Sequence, residues 1–469
     1  MVFGLDRGGL RTALAGAFVL VVGLAHGALA QDVRRALIVS DIHFDPFAPG
    51  AGAARLARRD VAAWDRLLAP AREKGPSRYG RDTNPALLHS ALAAVAVRAG
   101  EADLLVVPGD LIAHRFEQKA AALLRSGETS APVRDFAVRT AHYVLEGLRK
   151  AARGRPVVVA LGNNDSECGD YRLEPNGPFL AGLRETVRSM AGPALLASDF
   201  DETFAAAGYY RMRHPAAEGV DILVVNDVLW SADYQDRCGA GGDQAAAAMM
   251  IWLERTLDDL KASGRRAWLV HHIPVGIDGF SSLHGRGRSC RARVTPFLRE
   301  PYASRFVDLV GRNGATIDVM LSGHIHHDTY RVIRSGGAVA AIDKVTPGIS
   351  PIFGNNPGFQ VLTHDAAGRP LDMATWSLPL DGPARRRPDW RLEYRFAQAY
   401  GQPSFSEAAV GRLSDDLLAS TAATRTVRAR FGRAYPVGHG AIDDADFRAH
   451  ACAVSALDPA SFAACACGD

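Results

Sequence analysis

An α/β fold is the class that this sequence predicts, and two observations indicate it. From Arg35 onward, short apolar runs rich in β-branched residues end abruptly in polar or glycine-containing segments, and longer amphipathic stretches follow them. This alternation is typical of strand and helix units that feed a buried sheet. In addition, 48% of the 469 residues are hydrophobic and 22% are charged, which suffices for one large core or two smaller ones.

The individual elements follow in order along the chain. Apolar runs predict strands at residues 36–39, 104–107, 156–161, 222–225, 267–270 and 317–321. Pro85 is suited to the first position of a helix that continues to Arg98. Amphipathic stretches predict further helices at residues 135–153, 243–262 and 303–312. Residues 330–333 and 338–342 flank Ser335-Gly336-Gly337 and predict a β-hairpin.

Polar side chains with metal-binding atoms follow five of the predicted strands. In layered α/β folds, residues at the carboxyl ends of strands converge from distant parts of the chain. Each residue alone has a simpler explanation, as a turn residue or as a hydrogen-bonded histidine of the core. Taken together, the five strand ends predict one metal site, with these candidate ligands: Asp41, His43, Asp110, Asn163, His272, His324 and His326.

The candidate ligands also indicate a reaction. Asp, Asn and His donors without thiolate suit Zn, Fe or Mn. A carboxylate that bridges two such ions gives a binuclear site with the metals about 3.5 to 4 Å apart, which polarises a phosphoryl group and generates hydroxide near neutral pH. The expected reaction is therefore hydrolysis of a phosphate ester by in-line attack.

An ordered set of motifs resembles the calcineurin-like metallophosphoesterases. The set consists of Asp-x-His, Gly-Asp, Gly-Asn-Asn-Asp, His-Ile-Pro and Gly-His-x-His, in this order, between residues 35 and 358. The resemblance implies a four-layer α/β/β/α sandwich and two divalent metal ions. It assigns the first ion to Asp41, His43, Asp110 and His326, and the second to Asp110, Asn163, His272 and His324. His327 and Asp328 are expected either to orient the bound histidines or to begin the hairpin.

Further motifs are similar to the acid sphingomyelinase-like phosphodiesterases. They include Tyr79-Gly80-Arg81-Asp82, the pairing of Asp110 with His114, and Asn356-Pro357-Gly358-Phe359. This resemblance implies an exported phosphodiesterase in which a metal-bridging hydroxide attacks phosphorus. Zn is the first choice of metal, and Mn and Fe are alternatives. Sphingomyelin-like lipids and nucleotide derivatives are both candidate substrates, and hydrolysis of polyphosphate or phosphomonoesters is the alternative activity.

Asn164 departs from the pattern of the family. Many members carry a histidine at this position that is thought to protonate the leaving oxygen, and an asparagine cannot do so. Endopolyphosphatases of the same broad group resemble the Gly-Asn-Asn-Asp version, so hydrolysis is still expected. His114 is then the leading candidate acid, against the simpler explanation of a histidine in a surface loop, and Asn164 is expected to stabilise charge. A metal-binding protein that has lost turnover is the alternative of another class.

The N-terminal residues predict export. Arg7 and Arg11 precede an apolar run at residues 13–24, and Ala28-Leu29-Ala30 supplies a cleavage pattern, with Ala30 as the last residue removed. The run is shorter than the roughly 20 apolar residues that a spanning helix needs. We therefore expect a signal peptide at 1–30, a catalytic domain at 31–380, a mainly helical C-terminal subdomain at 381–469, and a periplasmic or secreted protein without a transmembrane helix.

Export would place the six cysteines in an oxidising compartment, where they are better interpreted as disulfide candidates than as metal ligands. Cys452 is expected to pair with Cys465 or Cys467 and to close the C-terminal tail. Cys238 with Cys290 is a candidate second bridge. The sequence leaves open the full connectivity and whether one or two thiols stay free.

The charged residues do not indicate a nucleic-acid or membrane-surface partner. The chain carries 54 basic and 51 acidic residues in well-mixed positions, so its formal net charge is only +3. Proteins that bind nucleic acids concentrate positive charge on one surface, so no nucleic-acid binding is indicated. A phosphate ester is the expected partner, and the sequence predicts nothing about the oligomeric state.

Overall fold

Two six-stranded sheets form the frame of the molecule, which we describe from a computed structural model for residues 33–72, 74–381, 387–419 and 421–468. From one edge to the other, the first sheet contains Arg391–Arg395 (β12), Pro370–Ser377 (β11), Gly358–His364 (β10), Arg34–Ile38 (β1), Leu104–Val107 (β2) and Val157–Val159 (β3). The second sheet contains Tyr210–Arg213 (β4), Val220–Val224 (β5), Arg266–Val270 (β6), Ile317–Ser322 (β7), Ala338–Val345 (β9) and Thr329–Ser335 (β8).

Parallel strands occupy the centre of both sheets. In the first sheet β1, β2 and β3 are parallel, and Ile38 lies opposite Val106, which in turn lies opposite Val158. In the second sheet β5, β6, β7 and β9 are parallel. The buried β-branched residues of these strands match the continuous apolar pattern that central parallel strands require. Within each sheet, the carboxyl ends of neighbouring parallel strands consequently lie side by side.

Antiparallel strands complete both sheets. β10 pairs with β1 and β11 with β10 in the first sheet, while β4 and β8 form the edges of the second. β8 and β9 are the predicted hairpin. The two sheets contact each other, because the Tyr210 hydroxyl of β4 donates to the Val159 carbonyl of β3 at 3.0 Å and accepts from its N–H at 2.9 Å.

Helices surround this pair of sheets. Their bounds are Ala53–Leu56 (α1), Trp64–Arg72 (α2), Pro85–Ala99 (α3), Phe116–Leu124 (α4), Ala131–Ala151 (α5), Pro178–Ala191 (α6), Phe200–Ala207 (α7), Gly242–Ala262 (α8), Gly279–His284 (α9), Cys290–Arg293 (α10), Tyr302–Arg312 (α11), Phe396–Tyr400 (α12), Glu407–Leu418 (α13), Arg425–Ala434 (α14), Asp444–Ala453 (α15) and Pro459–Ala466 (α16). Helix α3 contacts β1 of the first sheet, and α8 contacts β6 of the second. The predicted α/β class is thereby confirmed.

Helix α3 also begins as predicted. Pro85 occupies its first turn, and the side chain of Asn84 accepts a hydrogen bond from the Leu87 N–H at 2.9 Å. This cap satisfies one of the N–H groups that a helix start leaves without an intrahelical partner.

The C-terminal region is mainly helical, as predicted. It contains α12 to α16, and β12 adds one strand to the edge of the first sheet. Buried side chains of these helices, among them Phe396, Leu413 and Phe431, belong to the same apolar core as the two sheets. The predicted domain boundary at residue 380 lies shortly before β12.

All six cysteines lie within the described part of the chain and form three disulfides, so none of their thiols stays free. Of the two alternatives for Cys452, the pair with Cys465 is present. The candidate pair of Cys238 and Cys290 is wrong, because Cys238 bonds to Cys168. Cys290 instead bonds to Cys467.

The predicted signal peptide, residues 1–30, lies outside the described residues. Within the described ranges, none of the helices combines the length and hydrophobicity needed to cross a membrane.

Candidate metal centre

All seven predicted ligand residues lie just beyond the carboxyl ends of parallel strands. The first sheet contributes one set from the ends of β1, β2 and β3: Asp41, His43, Asp110 and Asn163. The second sheet contributes the other set from the ends of β6 and β7: His272, His324 and His326. Six of these side chains are buried, and His324 is half-buried. The strand order of the fold thus gathers residues that are up to 285 positions apart.

The backbone of these residues is unusual. Five of the seven, none of them glycine, have positive φ angles: 51° at Asp41, 44° at His43, 59° at Asp110, 71° at His324 and 62° at His326. Such conformations cost roughly 1–3 kcal/mol each and occur mainly where a site requires them. The neighbouring Gly109 has a φ of 107°, and a Cβ there would lie 2.6 Å from the Gly162 nitrogen. Only glycine fits this turn.

Four side chains form a first group. The Nε2 atom of His43 lies 3.0 Å from Nε2 of His326 and 3.2 Å from Oδ2 of Asp110. The Oδ1 atom of Asp41 lies 3.4 Å from Nε2 of His326. The group therefore contains the same four residues that the resemblance assigned to one ion.

Backbone carbonyls orient both imidazoles of the first group. The Nδ1 atom of His43 donates to the Ile112 carbonyl at 3.1 Å, and that of His326 donates to the Ser350 carbonyl at 3.0 Å. A neutral imidazole carries a single hydrogen, so in that form the two Nε2 atoms would direct lone pairs at each other and at the carboxylates. A cation held between these atoms would remove this repulsion.

A second group surrounds the side-chain oxygen of Asn163. This Oδ1 atom lies 2.9 Å from Nε2 of His272 and 2.9 Å from Nδ1 of His324. The Nδ1 atom of His272 donates to the Pro108 carbonyl at 2.8 Å, which again leaves Nε2 facing oxygen acceptors.

Asp110 is shared by the two groups. Its Oδ2 atom lies 3.2 Å from Nε2 of His43 and 3.4 Å from Nε2 of His272. Asn164 holds this carboxylate, because its backbone N–H donates to Oδ1 at 2.8 Å and its side-chain amide donates to Oδ2 at 3.1 Å. The amide of Asn164 is therefore committed to Asp110.

Carboxylates of the centre stabilise positive charge on His272. Burial lowers the pKa of His272, but the charge and hydrogen bond of Asp110, together with the charges of Asp41 and Asp227, outweigh burial and raise the pKa to about 9. Burial raises the pKa of Asp110, yet the charges of His272 and His43 hold it well below its usual value. Ligand atoms of Asp41, Asp110 and His272 also lie within 4.8 Å of one another. The side chains therefore fit divalent metal ions.

Two further carboxylates support the strand ends. Asp165 accepts hydrogen bonds from the backbone N–H groups of Asp110 at 2.8 Å and of Gly162 at 2.9 Å, so it joins the loops after β2 and β3. Asp227 accepts from Nδ1 of His271 at 2.9 Å and from the His272 N–H at 3.3 Å. Neither role was predicted from the sequence, although Asp165 belongs to the Gly-Asn-Asn-Asp motif.

His114 lies beside the first group. Its ring stacks on that of His43 with centroids 4.0 Å apart, and its side chain is 23% exposed. Asp82 binds this residue twice, because it accepts from Nδ1 at 2.8 Å and from the backbone N–H at 3.1 Å. Burial raises the pKa of Asp82, but the hydrogen bond from His114 and nearby cations lower it to about 2. The pairing of Asp82 with His114 was not predicted from the sequence, in which Asp82 stands out only as part of the Tyr-Gly-Arg-Asp motif.

His327 and Asp328 make hydrogen bonds with groups outside the set of candidate ligands. The Nδ1 atom of His327 donates to the Ile325 carbonyl at 2.7 Å, and its ring stacks on Tyr435. Asp328 is buried and accepts from Lys344 at 2.5 Å and from Tyr394 at 2.9 Å. The structure thus gives Asp328 a place in a core network, and it gives His327 contacts with the backbone of its own loop.

Comparison with known proteins decides the family. The protein-family model described as calcineurin-like phosphoesterase matches residues 34–328, which is more than half of the chain. This chain belongs to the calcineurin-like phosphoesterase family. The family resemblance seen in the sequence is confirmed, and the chain is a metal-dependent phosphoester hydrolase.

Two curated proteins and one solved structure illustrate what this chain is similar to. The acid sphingomyelinase-like phosphodiesterase 3b of Homo sapiens is 24% identical over 413 residues, which cover 84% of this chain and 83% of that protein. The cyclic GMP-AMP phosphodiesterase of Rattus norvegicus is 24% identical over 271 residues, which cover 56% of each chain. A dimetal phosphatase from Danio rerio aligns in structure with a TM-score of 0.40 and 10% identity, over 73% of this chain and 95% of that one.

Proposed function

We propose that this chain hydrolyses phosphodiesters with two divalent metal ions at the candidate metal centre. The observation that carries the proposal is the position of the Asp110 carboxylate, whose Oδ2 atom lies within 3.4 Å of a histidine from each group. The first ion would be held by Asp41, His43, Asp110 and His326, and the second by Asp110, Asn163, His272 and His324. Zn is the first choice for this mixed donor set, and Mn and Fe are the alternatives.

The protein groups have separable tasks in this reaction. Two divalent ions at such a site act as Lewis acids toward a phosphoryl group and make water nucleophilic near neutral pH. Asn164 would hold Asp110 in place, since both of its donors bind that carboxylate. Its side chain is only 4% exposed, so it has little surface for substrate.

His114 would protonate the leaving oxygen. The Nδ1 hydrogen of His114 is bound by Asp82 at 2.8 Å, which leaves Nε2 as the nitrogen that can carry a transferable proton. A carboxylate in this position orients the imidazole and stabilises its protonated form. The exposure of His114 gives a substrate access that Asn164 lacks.

Phosphodiesters are the proposed substrate class because of the relatives. Both the human and the rat relatives described above are named phosphodiesterases. Lipid and nucleotide diesters are each compatible with this class, and phosphomonoesters and polyphosphate are the alternatives that an assay must compare. We also propose export with cleavage after Ala30, which is supported by the N-terminal sequence and by three disulfides.

The test compares substrates on protein that begins at Gln31 and is loaded with Zn or Mn. We expect bis(p-nitrophenyl) phosphate to be hydrolysed faster than p-nitrophenyl phosphate or polyphosphate. Asp110→Asn should lower the rate on the order of 100- to 1000-fold. Asp135→Asn, at an exposed ion pair with Arg139, is the matched control and should leave the rate unchanged. A metal-loaded wild type that does not cleave the diester, with the same metal content as Asp110→Asn, contradicts the proposal.

A further inference from the structure

We propose that Asp170 is a positioning residue that decides which end of the Asn163 amide faces the second ligand group. The inference rests on the proposed function, because it concerns the ion that Asn163 would help to hold. The Nδ2 atom of Asn163 donates to Oδ1 of Asp170 at 2.6 Å. The opposite end, Oδ1, lies 2.9 Å from each of the two imidazoles of the group, those of His272 and His324.

The physical reason lies in the symmetry of an amide. Its oxygen and its NH2 group have nearly the same size, but only the oxygen can bind a cation. An ionised carboxylate accepts hydrogen bonds and donates none. If Asn163 were flipped, its oxygen would face the carboxylate of Asp170 at the distance of a hydrogen bond without any hydrogen between them. Asp170 therefore stabilises the one orientation that presents oxygen to the ion.

The segment that carries Asp170 is fixed on both sides. The Cys168–Cys238 disulfide precedes it, and the N–H of Gln235 donates to the Tyr171 carbonyl at 2.9 Å. The N–H of Tyr171 in turn donates to the Asn163 carbonyl at 2.9 Å. These bonds set the distance between the Asp170 carboxylate and the Asn163 amide, so the selection does not depend on a mobile loop.

Tyr171 extends the same arrangement to a second candidate ligand. Its hydroxyl lies 3.4 Å from Nε2 of His324, whose other nitrogen faces Asn163. Tyr171 has a φ of 54°, a conformation that is uncommon for a bulky side chain and that occurs mainly where the surrounding structure imposes it. Two consecutive residues thus contact two members of the second group, and we expect their loss to affect the second ion selectively.

The first test is Asp170→Asn, which keeps the shape of the side chain and removes its charge. The new amide can present its own NH2 group to the oxygen of Asn163, so Asn163 loses its preferred orientation. We expect Zn2+ to bind the second site about 10- to 100-fold more weakly, with the first site unchanged. Titration of the metal-free protein with Zn2+, followed by elemental analysis, measures both affinities. Glu174→Gln is the matched control, since Glu174 lies in the same segment but pairs with Arg134.

The second test exchanges the two residues. In the double variant Asn163→Asp with Asp170→Asn, position 163 has oxygen at both ends, and the amide introduced at position 170 supplies the NH2 group that donates to it. The net charge equals that of the wild type. We expect the double variant to recover binding of two ions, whereas Asn163→Asp alone places two carboxylates in contact and does not. Thermal unfolding of each metal-free variant checks that the fold is retained.

The possible results separate the two proposals. Wild-type affinity for both ions in Asp170→Asn overturns the positioning role. A weakened second site that the exchanged double variant does not restore also overturns it, because Asp170 would then act without orienting the amide. A wild type that binds fewer than two Zn2+ ions overturns the proposed function itself.

Discussion

His114 stacks on His43, and its ligand atom lies within 4.8 Å of those of His43 and His326, but we do not propose it as a metal ligand. A single substitution tests its role. We expect His114→Ala to lower kcat on the order of 100- to 10,000-fold, because a general acid contributes about that much. The metal content should stay at the wild-type value. An unchanged kcat would remove His114 from the mechanism.

Asp82 provides the control for this prediction. Asp82→Asn keeps a hydrogen-bond acceptor beside Nδ1 of His114 but removes the charge that stabilises the protonated ring. We expect kcat to decrease, but by less than for His114→Ala, because the ring keeps a hydrogen-bond partner. Wild-type rates measured across the pH range for Asp82→Asn would contradict the proposed pairing.

At the scale of the elements, the strand ends could be predicted from the sequence and their partners could not. Asp110 follows an apolar run directly, so its place at a strand end is a local property of the sequence. Asp82 approaches His114 from 32 residues away, and Asp227 approaches His271 from 44 residues away. These contacts depend on how loops pack in three dimensions, which periodicity does not encode.

Among the disulfides, too, the pairing that is close in the sequence could be predicted and the long-range pairing could not. Cys452 and Cys465 are 13 residues apart at the ends of neighbouring helices, α15 and α16, and their pairing is one of the two alternatives that the sequence predicts for Cys452. Cys290 and Cys467 are 177 residues apart, and only the packing of the C-terminal helices against α9 brings them together.

The two C-terminal disulfides, Cys290–Cys467 and Cys452–Cys465, are expected to differ in how much they stabilise the fold. In the chain-entropy account, closing the longer loop stabilises the fold by about 5 kcal/mol and closing the shorter loop by about 3 kcal/mol. We therefore expect replacement of Cys290 and Cys467 by serine to lower the free energy of unfolding more than replacement of Cys452 and Cys465. Urea unfolding of the two double variants measures the difference. The reverse order would show that native contacts, rather than loop closure, dominate.

At the scale of the whole molecule, His214 packs against residues of both sheets. The centroid of its ring lies 5.1 Å from that of His364 in the first sheet and 4.6 Å from that of Trp268 in the second. Its Nδ1 atom accepts a hydrogen bond from the Ala216 N–H at 3.1 Å. Burial, together with the neighbouring His364, lowers the pKa of His214 to about 3. The folded protein therefore holds this imidazole neutral.

The sign of the resulting pH dependence follows from linkage. An unfolded histidine binds a proton near pH 6.5, whereas folded His214 binds one only near pH 3. Its contribution to stability is complete above about pH 6.5 and falls by about 1.4 kcal/mol per pH unit between these values. We expect His214→Asn to be less stable at pH 7 and to lose less stability on acidification to pH 4. Urea unfolding at pH 7 and at pH 4 measures the free energy of unfolding of both proteins. An equal loss of this free energy in the two proteins on acidification would contradict the prediction.

Each candidate ligand group draws on both sheets. Asp41 and His43 follow β1 of the first sheet, whereas His326 follows β7 of the second, and Asn163 and His272 are divided in the same way. Bound ions would therefore tie the strand ends of the two sheets to each other. Local opening of this edge, which admits water to the strand ends, would require ions to dissociate first. Backbone amides of both sheets should then exchange with solvent as one unit, at a rate set by metal concentration.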